Sequence, residues 1–154
     1  MTAPNHALTG ALIGLSIHNP LAAAPLAFLS HFACDAIPHY DSPDDKGEGH
    51  ASKRFIGEQL IAGAVLCFLL VVVLALTHPK DWFLAAVCAF LAASPDLFWF
   101  PKFLHEVRTG TDKPPQLWLL RFHAWIQWKT SPKLWWTEAL WTIGCLAILI
   151  LKIR

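Results

Sequence analysis

Between Glu58 and Thr77 the chain runs almost without a break through apolar residues. A run of about 20 such residues matches the roughly 30 Å hydrocarbon core of a bilayer. That stretch demands a transmembrane helix. Lipid offers the backbone no hydrogen-bond partner, so the remaining membrane segments must be helical as well. Composition points the same way: of 154 residues, 55% are hydrophobic and only 15% are charged, against about 25% charged in soluble domains. The expected class is an all-α integral membrane protein, one membrane domain over residues 1–154. A net charge of +1, with no basic patch or recognition motif, gives no reason to expect nucleic-acid binding. Cys34, Cys67, Cys88 and Cys145 are scattered through apolar runs. They read as reduced, buried small hydrophobes, not as a disulfide framework. The N-terminus lacks the basic start of a signal peptide.

About five membrane helices are expected, plus one interfacial helix. Pro4 to Ile17 forms the first, with Gly10 and Gly14 spaced for close packing against a neighbour. Asn19-Pro20 supplies an N-cap and a favoured first-turn proline, so a second helix runs from Leu21 to Ile37, with Pro25 a kink. Both are short for the bilayer and read as a tilted or re-entrant hairpin. Ser42 to Gly57 is polar and reads as a loop. Glu58–Thr77 is the third helix, and His78-Pro79-Lys80-Asp81 a tight turn. Trp82 to about Phe100 returns, with Ser94-Pro95-Asp96 breaking it near its end. Pro101 to Lys133 is polar and aromatic; within it Leu117 to Lys129 reads as an amphipathic helix lying in the interface. Leu134 to Leu151 is the last span. The two long loops hold Lys46, Lys53, Arg54, Lys102, Arg108, Lys113, Arg121, Lys129 and Lys133, against Lys80, Lys152 and Arg154 on the other side. In a bacterial-type inner (plasma) membrane this bias puts the long loops in the cytoplasm.

Chemistry gathers around Ser30 to Asp41. His31 and Asp35 are four residues apart on one helix face, and His39 follows at the same spacing just after Pro38. An intramembrane carboxylate costs on the order of 2.5–3.5 kcal/mol on insertion scales, which makes Asp35 a functional candidate by default. The topology adds His6 at the start of helix 1 and Asp96 at the end of helix 4, all at one face. Two imidazoles with carboxylates suit zinc or a similar divalent ion. The expected metal ligands are His6, His31, Asp35 and Asp96. His39 and Asp41 are expected to complete the shell or move a proton as catalytic residues. His123 and Gln127, on one face of the interfacial helix, are candidates for holding a substrate head group.

Thr2-Ala3-Pro4-Asn5-His6, Thr9-Gly10 and Ser94-Pro95-Asp96 together resemble small bacterial inner-membrane proteins known as membrane-bound metal-dependent hydrolases. The order His31-x-x-x-Asp35, then Pro38 and His39, is similar to part of the zinc-dependent phospholipase C and P1-type nuclease signature, where the last histidine falls two positions later. The resemblance implies hydrolase chemistry. The expected function is then a membrane-embedded metal-dependent hydrolase acting on a lipid or lipid-linked (phospho)ester at the cytoplasmic face. No G-x-S-x-G serine-nucleophile motif is present. The alternative is a non-enzymatic membrane protein, an ion or proton conduit or an assembly factor, using the same His/Asp cluster. Oligomeric state is open.

Overall fold

The structure, a computed structural model, describes residues 1–40, 53–109 and 117–154. Seven α-helices are found among them: α1 (Ala3–Ser16), α2 (Pro20–Asp35), α3 (Lys53–Thr77), α4 (Trp82–Ala93), α5 (Phe100–Thr109), α6 (Trp118–Ile126) and α7 (Trp135–Lys152). A 3-10 segment, Ser94–Trp99, joins α4 to α5. The described residues form no strand, only an isolated parallel bridge between His39 and Thr130.

Among the described residues, three stretches are long and apolar enough to cross a membrane: Gln59–Thr77, Trp82–Trp99 and Pro132–Lys152. The expectation of about five membrane helices is therefore met by three of membrane length. At 14 and 16 residues, α1 and α2 reach only about 21 and 24 Å at 1.5 Å per residue. They fall short because Ser16 to Asn19 and the Pro38 turn end them early.

The central helix is α1, which touches α2, α3, α4 and α7. Its closest partner is α4, because both faces are built from small residues. A Cβ on Gly10 would lie 2.2 Å from the Cys88 carbonyl oxygen, and one on Gly14 would lie 2.5 Å from the Ala85 Cα. The glycine spacing in the sequence thus finds its neighbour. Ala23 and Ala27 of α2 pack on Cys88 and Ala92 of α4, so α1, α2 and α4 form a tight three-helix unit. In lipid such contact comes from van der Waals packing and interhelical hydrogen bonds, not from a hydrophobic drive.

Polar bonds fasten α7 to α1. Glu138 Oε2 accepts from Asn5 Nδ2 at 2.7 Å and from the Thr2 hydroxyl at 2.8 Å. Thr142 donates to Asn5 Oδ1 at 2.7 Å, and the Trp141 indole to Thr9 Oγ1 at 2.9 Å. The other faces of α3 and α7 stay apolar and exposed, among them Phe68, Leu76, Leu140 and Leu151.

Several boundaries move from expectation. The second helix stops at Asp35, with the Ala36 N–H bonded to Phe32 O, and runs on through Pro25. Residues 53–57, expected in a loop, are already helical in α3. The fourth span breaks at Ser94, where the Ser94-Pro95-Asp96 interruption is expected, and passes into the 3-10 segment, while α5 occupies part of what reads as loop in the sequence. The turn at His78–Asp81 is present, with positive φ of 50° and 64° at its ends. The interfacial helix covers Trp118–Ile126 only, with Leu120 and His123 turned inward and Trp118 and Trp125 exposed.

Candidate metal centre

Because α1 and α2 form a hairpin with a three-residue connection, the start of α1 lies beside the end of α2. This brings His6 to Asp35, with Nε2 3.1 Å from Oδ1. His31, one turn before Asp35, has Nε2 3.2 Å from Oδ2 and 3.6 Å from Oδ1 of Asp96. Asp96 reaches the centre from the first turn of the 3-10 segment. The break at Ser94-Pro95 follows a helix, α4, that packs chiefly on α1 and α2. His6 and His31 also stack, with ring centroids 3.9 Å apart. All four expected metal ligands meet in one place. His6, His31 and Asp35 are fully buried there, and Asp96 is half-buried.

The bonding partners fix which nitrogen of each ring carries a proton. A backbone carbonyl can only accept, and an indole N–H can only donate. His31 Nδ1 lies 2.8 Å from the Ala92 carbonyl oxygen, so Nδ1 holds the proton and Nε2 turns a lone pair to the centre. His39 repeats the pattern. Its Nδ1 donates to Ile37 O at 2.7 Å, leaving Nε2 3.9 Å from Asp35 Oδ1. Metal-binding histidines characteristically donate their other N–H to a carbonyl or carboxylate in this way. The segment carrying His39 is held by the Ser131 N–H to His39 O and by the Trp128 indole to Ala36 O.

His6 behaves differently. Both of its ring nitrogens are buried and neither has a hydrogen-bond partner among the described residues, since the approach to Asp35 lies off the line a bond requires. A fully buried imidazole with no partner is an expensive group. A cation among His6, His31 and the two carboxylates would remove that cost. The Asp35 carboxylate already receives a positive group: the Met1 ammonium donates to Oδ1. Ligand atoms of His6, His31 and Asp96 fall within 4.8 Å of one another, as do those of His31, Asp35 and His123. The donor set is imidazole with carboxylate, which fits a divalent ion such as zinc.

The remaining candidates divide. His123 and Gln127, expected to face a head group, both lie on Asp35: His123 Nε2 is 2.5 Å from Oδ2, and the Gln127 amide donates to Oδ2 at 2.9 Å. Asp41 and His50 lie outside the described residues. His18 is far away, paired with Asp81 at 2.6 Å near the surface. Sequence reasoning passed over three participants. Trp99 donates its indole N–H to His123 Nδ1 at 2.9 Å; among eight tryptophans, nothing in the pattern separates it from the interface anchors. The Ala92 carbonyl and the Met1 ammonium are backbone groups that residue type does not reveal.

A cavity of about 500 Å³ opens over the centre, lined by His39, Asp96 and Gln127 with Leu60 and Leu66 of α3. Compared with family models, with curated proteins and with solved structures, the chain finds no match.

Proposed function

We infer that this protein is a membrane-embedded, metal-dependent hydrolase, with a centre built from His6, His31, His39, Asp35 and Asp96. The observation that carries the reading is a buried cluster in which His31 and His39 present lone pairs toward two carboxylates, while neither ring nitrogen of His6 makes a hydrogen bond among the described residues. A divalent ion, zinc by donor type, would activate water near neutral pH and offset charge developing on a phosphoryl oxygen. The chain's own groups do the rest. His31 and His39 are oriented by the Ala92 and Ile37 carbonyls. Gln127 holds Asp35 in place, and the half-buried Asp96 faces the cavity, where it can accept a proton from water.

The substrate we favour is a lipid or lipid-linked phosphoester, met at the cytoplasmic face. Supporting this, the cavity combines polar groups of the centre with apolar side chains of α3. A second groove of about 960 Å³ starts beside the site at Ile37 and Pro38 and follows α1 and α7, with Lys129 at its edge. An acyl chain fits the apolar walls and leaves the head group near the metal. The basic residues on the long loops support the cytoplasmic assignment.

Metal analysis of the purified full chain tests the centre. Stoichiometric zinc is expected in the parent and less than a tenth of it in His31→Ala. A parent with no bound metal after exposure to zinc, manganese and cobalt defeats the proposal. Release of phosphate or diglyceride from phospholipid or isoprenoid phosphate vesicles then tests the chemistry. Metal retained without turnover of either would favour a non-enzymatic role.

A further inference from the structure

His123 has its nitrogens in the opposite arrangement to His31 and His39. The Trp99 indole can only donate, so His123 Nδ1 must accept at 2.9 Å and carries no proton. The proton of the neutral ring then sits on Nε2. There it points at Asp35 Oδ2 at 2.5 Å, with the His31 Nε2 lone pair also 3.1 Å away. His123 is almost fully buried, so water does not offer either nitrogen a substitute partner. By distance alone His123 groups with His31 and Asp35 as a ligand set. Its tautomer says otherwise. For Nε2 to bind a cation, the proton must move to Nδ1, where two N–H groups would face each other across 2.9 Å.

We propose that His123 is not a metal ligand but the hydrogen-bond donor that positions Asp35, and that Trp99 is the residue that keeps it so. The resulting chain runs from the Trp99 indole to His123 to Asp35 Oδ2. Oδ1, the oxygen facing His6 and His39, accepts from the Met1 ammonium, which a cation bound there would displace. Outer partners of this kind orient a carboxylate ligand and tune its basicity. The role of Asp35 as a ligand rests on the metal-centre reading; the ring tautomer does not.

The test uses the full chain in detergent at one neutral pH. With 15N-labelled histidine and no added metal, His123 is expected to show a proton on Nε2 and a bare Nδ1. A proton on Nδ1 overturns the proposal, whether or not the protein binds metal. Cobalt(II) is the second probe, since its visible absorption bands report ligand identity. His123→Gln retains an N–H donor and is expected to leave the bands and the affinity close to the parent. His123→Ala is expected to weaken cobalt binding by roughly 10–100-fold with the bands in place. Trp99→Phe frees Nδ1, so the bands should shift as His123 joins the shell, and adding His123→Gln should reverse the shift. Bands that move in His123→Gln alone make His123 a ligand. A Trp99→Phe spectrum identical to the parent removes Trp99 from its role. A parent that binds no cobalt sinks the metal-centre reading, and the nitrogen spectrum then decides the tautomer by itself.

Discussion

Asp35 anchors the site, because one carboxylate accepts from an imidazole N–H, an amide and an ammonium at once. Donors of this kind favour the charged form, and hydrogen bonds to charged groups are worth about 1.5–3 kcal/mol each. Asp35→Asn keeps the shape but places an amide N–H among donors. We expect it to bind less than a tenth of the parent's metal and to lose about 3 kcal/mol of stability, read as metal content and as a thermal melt in detergent. His18→Ala is the contrasting case. Its pair with Asp81 is exposed on the histidine side, and such pairs contribute about 0–1 kcal/mol. Metal content should be unchanged and the melt nearly so; a loss of metal there would mean that the centre is not where the geometry has it.

The element that decides the site is α1, and its register depends on two glycines. Their Cβ positions are already taken by α4 backbone, at 2.2 Å from the Cys88 carbonyl for Gly10 and 2.5 Å from the Ala85 Cα for Gly14. Gly10→Ala must push α1 away from α4, at a cost of about 1–3 kcal/mol for overpacking. It carries His6 away from Asp96 in the same movement. We expect weaker metal binding together with a lower melting temperature. Gly144→Ala, with open space around its Cβ position, should leave both unchanged or raise the melt slightly, as alanine is the better helix former by about 0.8–1.0 kcal/mol. Equal damage from the two substitutions would refute the close-packing account.

At the scale of the whole molecule, α4 separates two ends. Asp96 lies at one and the His78–Asp81 turn at the other, 16 residues from Lys80 to Asp96 and so about 24 Å at helical rise. On the proposed orientation, with the long loops cytoplasmic, Lys129→Cys in the intact cell should resist a membrane-impermeant thiol reagent, while Lys80→Cys should react. The reverse labelling would turn the molecule over and move the site to the outer face. On the proposed metal centre, a bound ion should also hold the bundle together, since the ligands from α1, α2 and the 3-10 segment meet only in the folded state. At a free concentration of 100 times its Kd it stabilises by about 2.7 kcal/mol. Removal by a chelator is expected to lower the melting temperature by several degrees, with return on adding zinc.

Much of this was legible in residue order. The apolar run before Thr77 required a membrane helix, because lipid satisfies no backbone. Asn19-Pro20 marked the start of α2 by cap chemistry alone. His31 and Asp35 shared a face because a helix repeats every 3.6 residues, and Gly10 and Gly14 announced a close neighbour. Those signals are local, and local geometry carries them. The break of the fourth span was legible too, in Ser94-Pro95-Asp96, whereas which neighbour filled the glycine face and the helix α5 lay beyond reach, since they depend on tertiary packing. The same holds for His123. As a residue in sequence it is one more histidine among tryptophans, and its place is set by an indole 24 residues away and a carboxylate 88 residues away. Residue type supplies a ring with two nitrogens; only the partners brought up by the tertiary fold decide which of them keeps the proton.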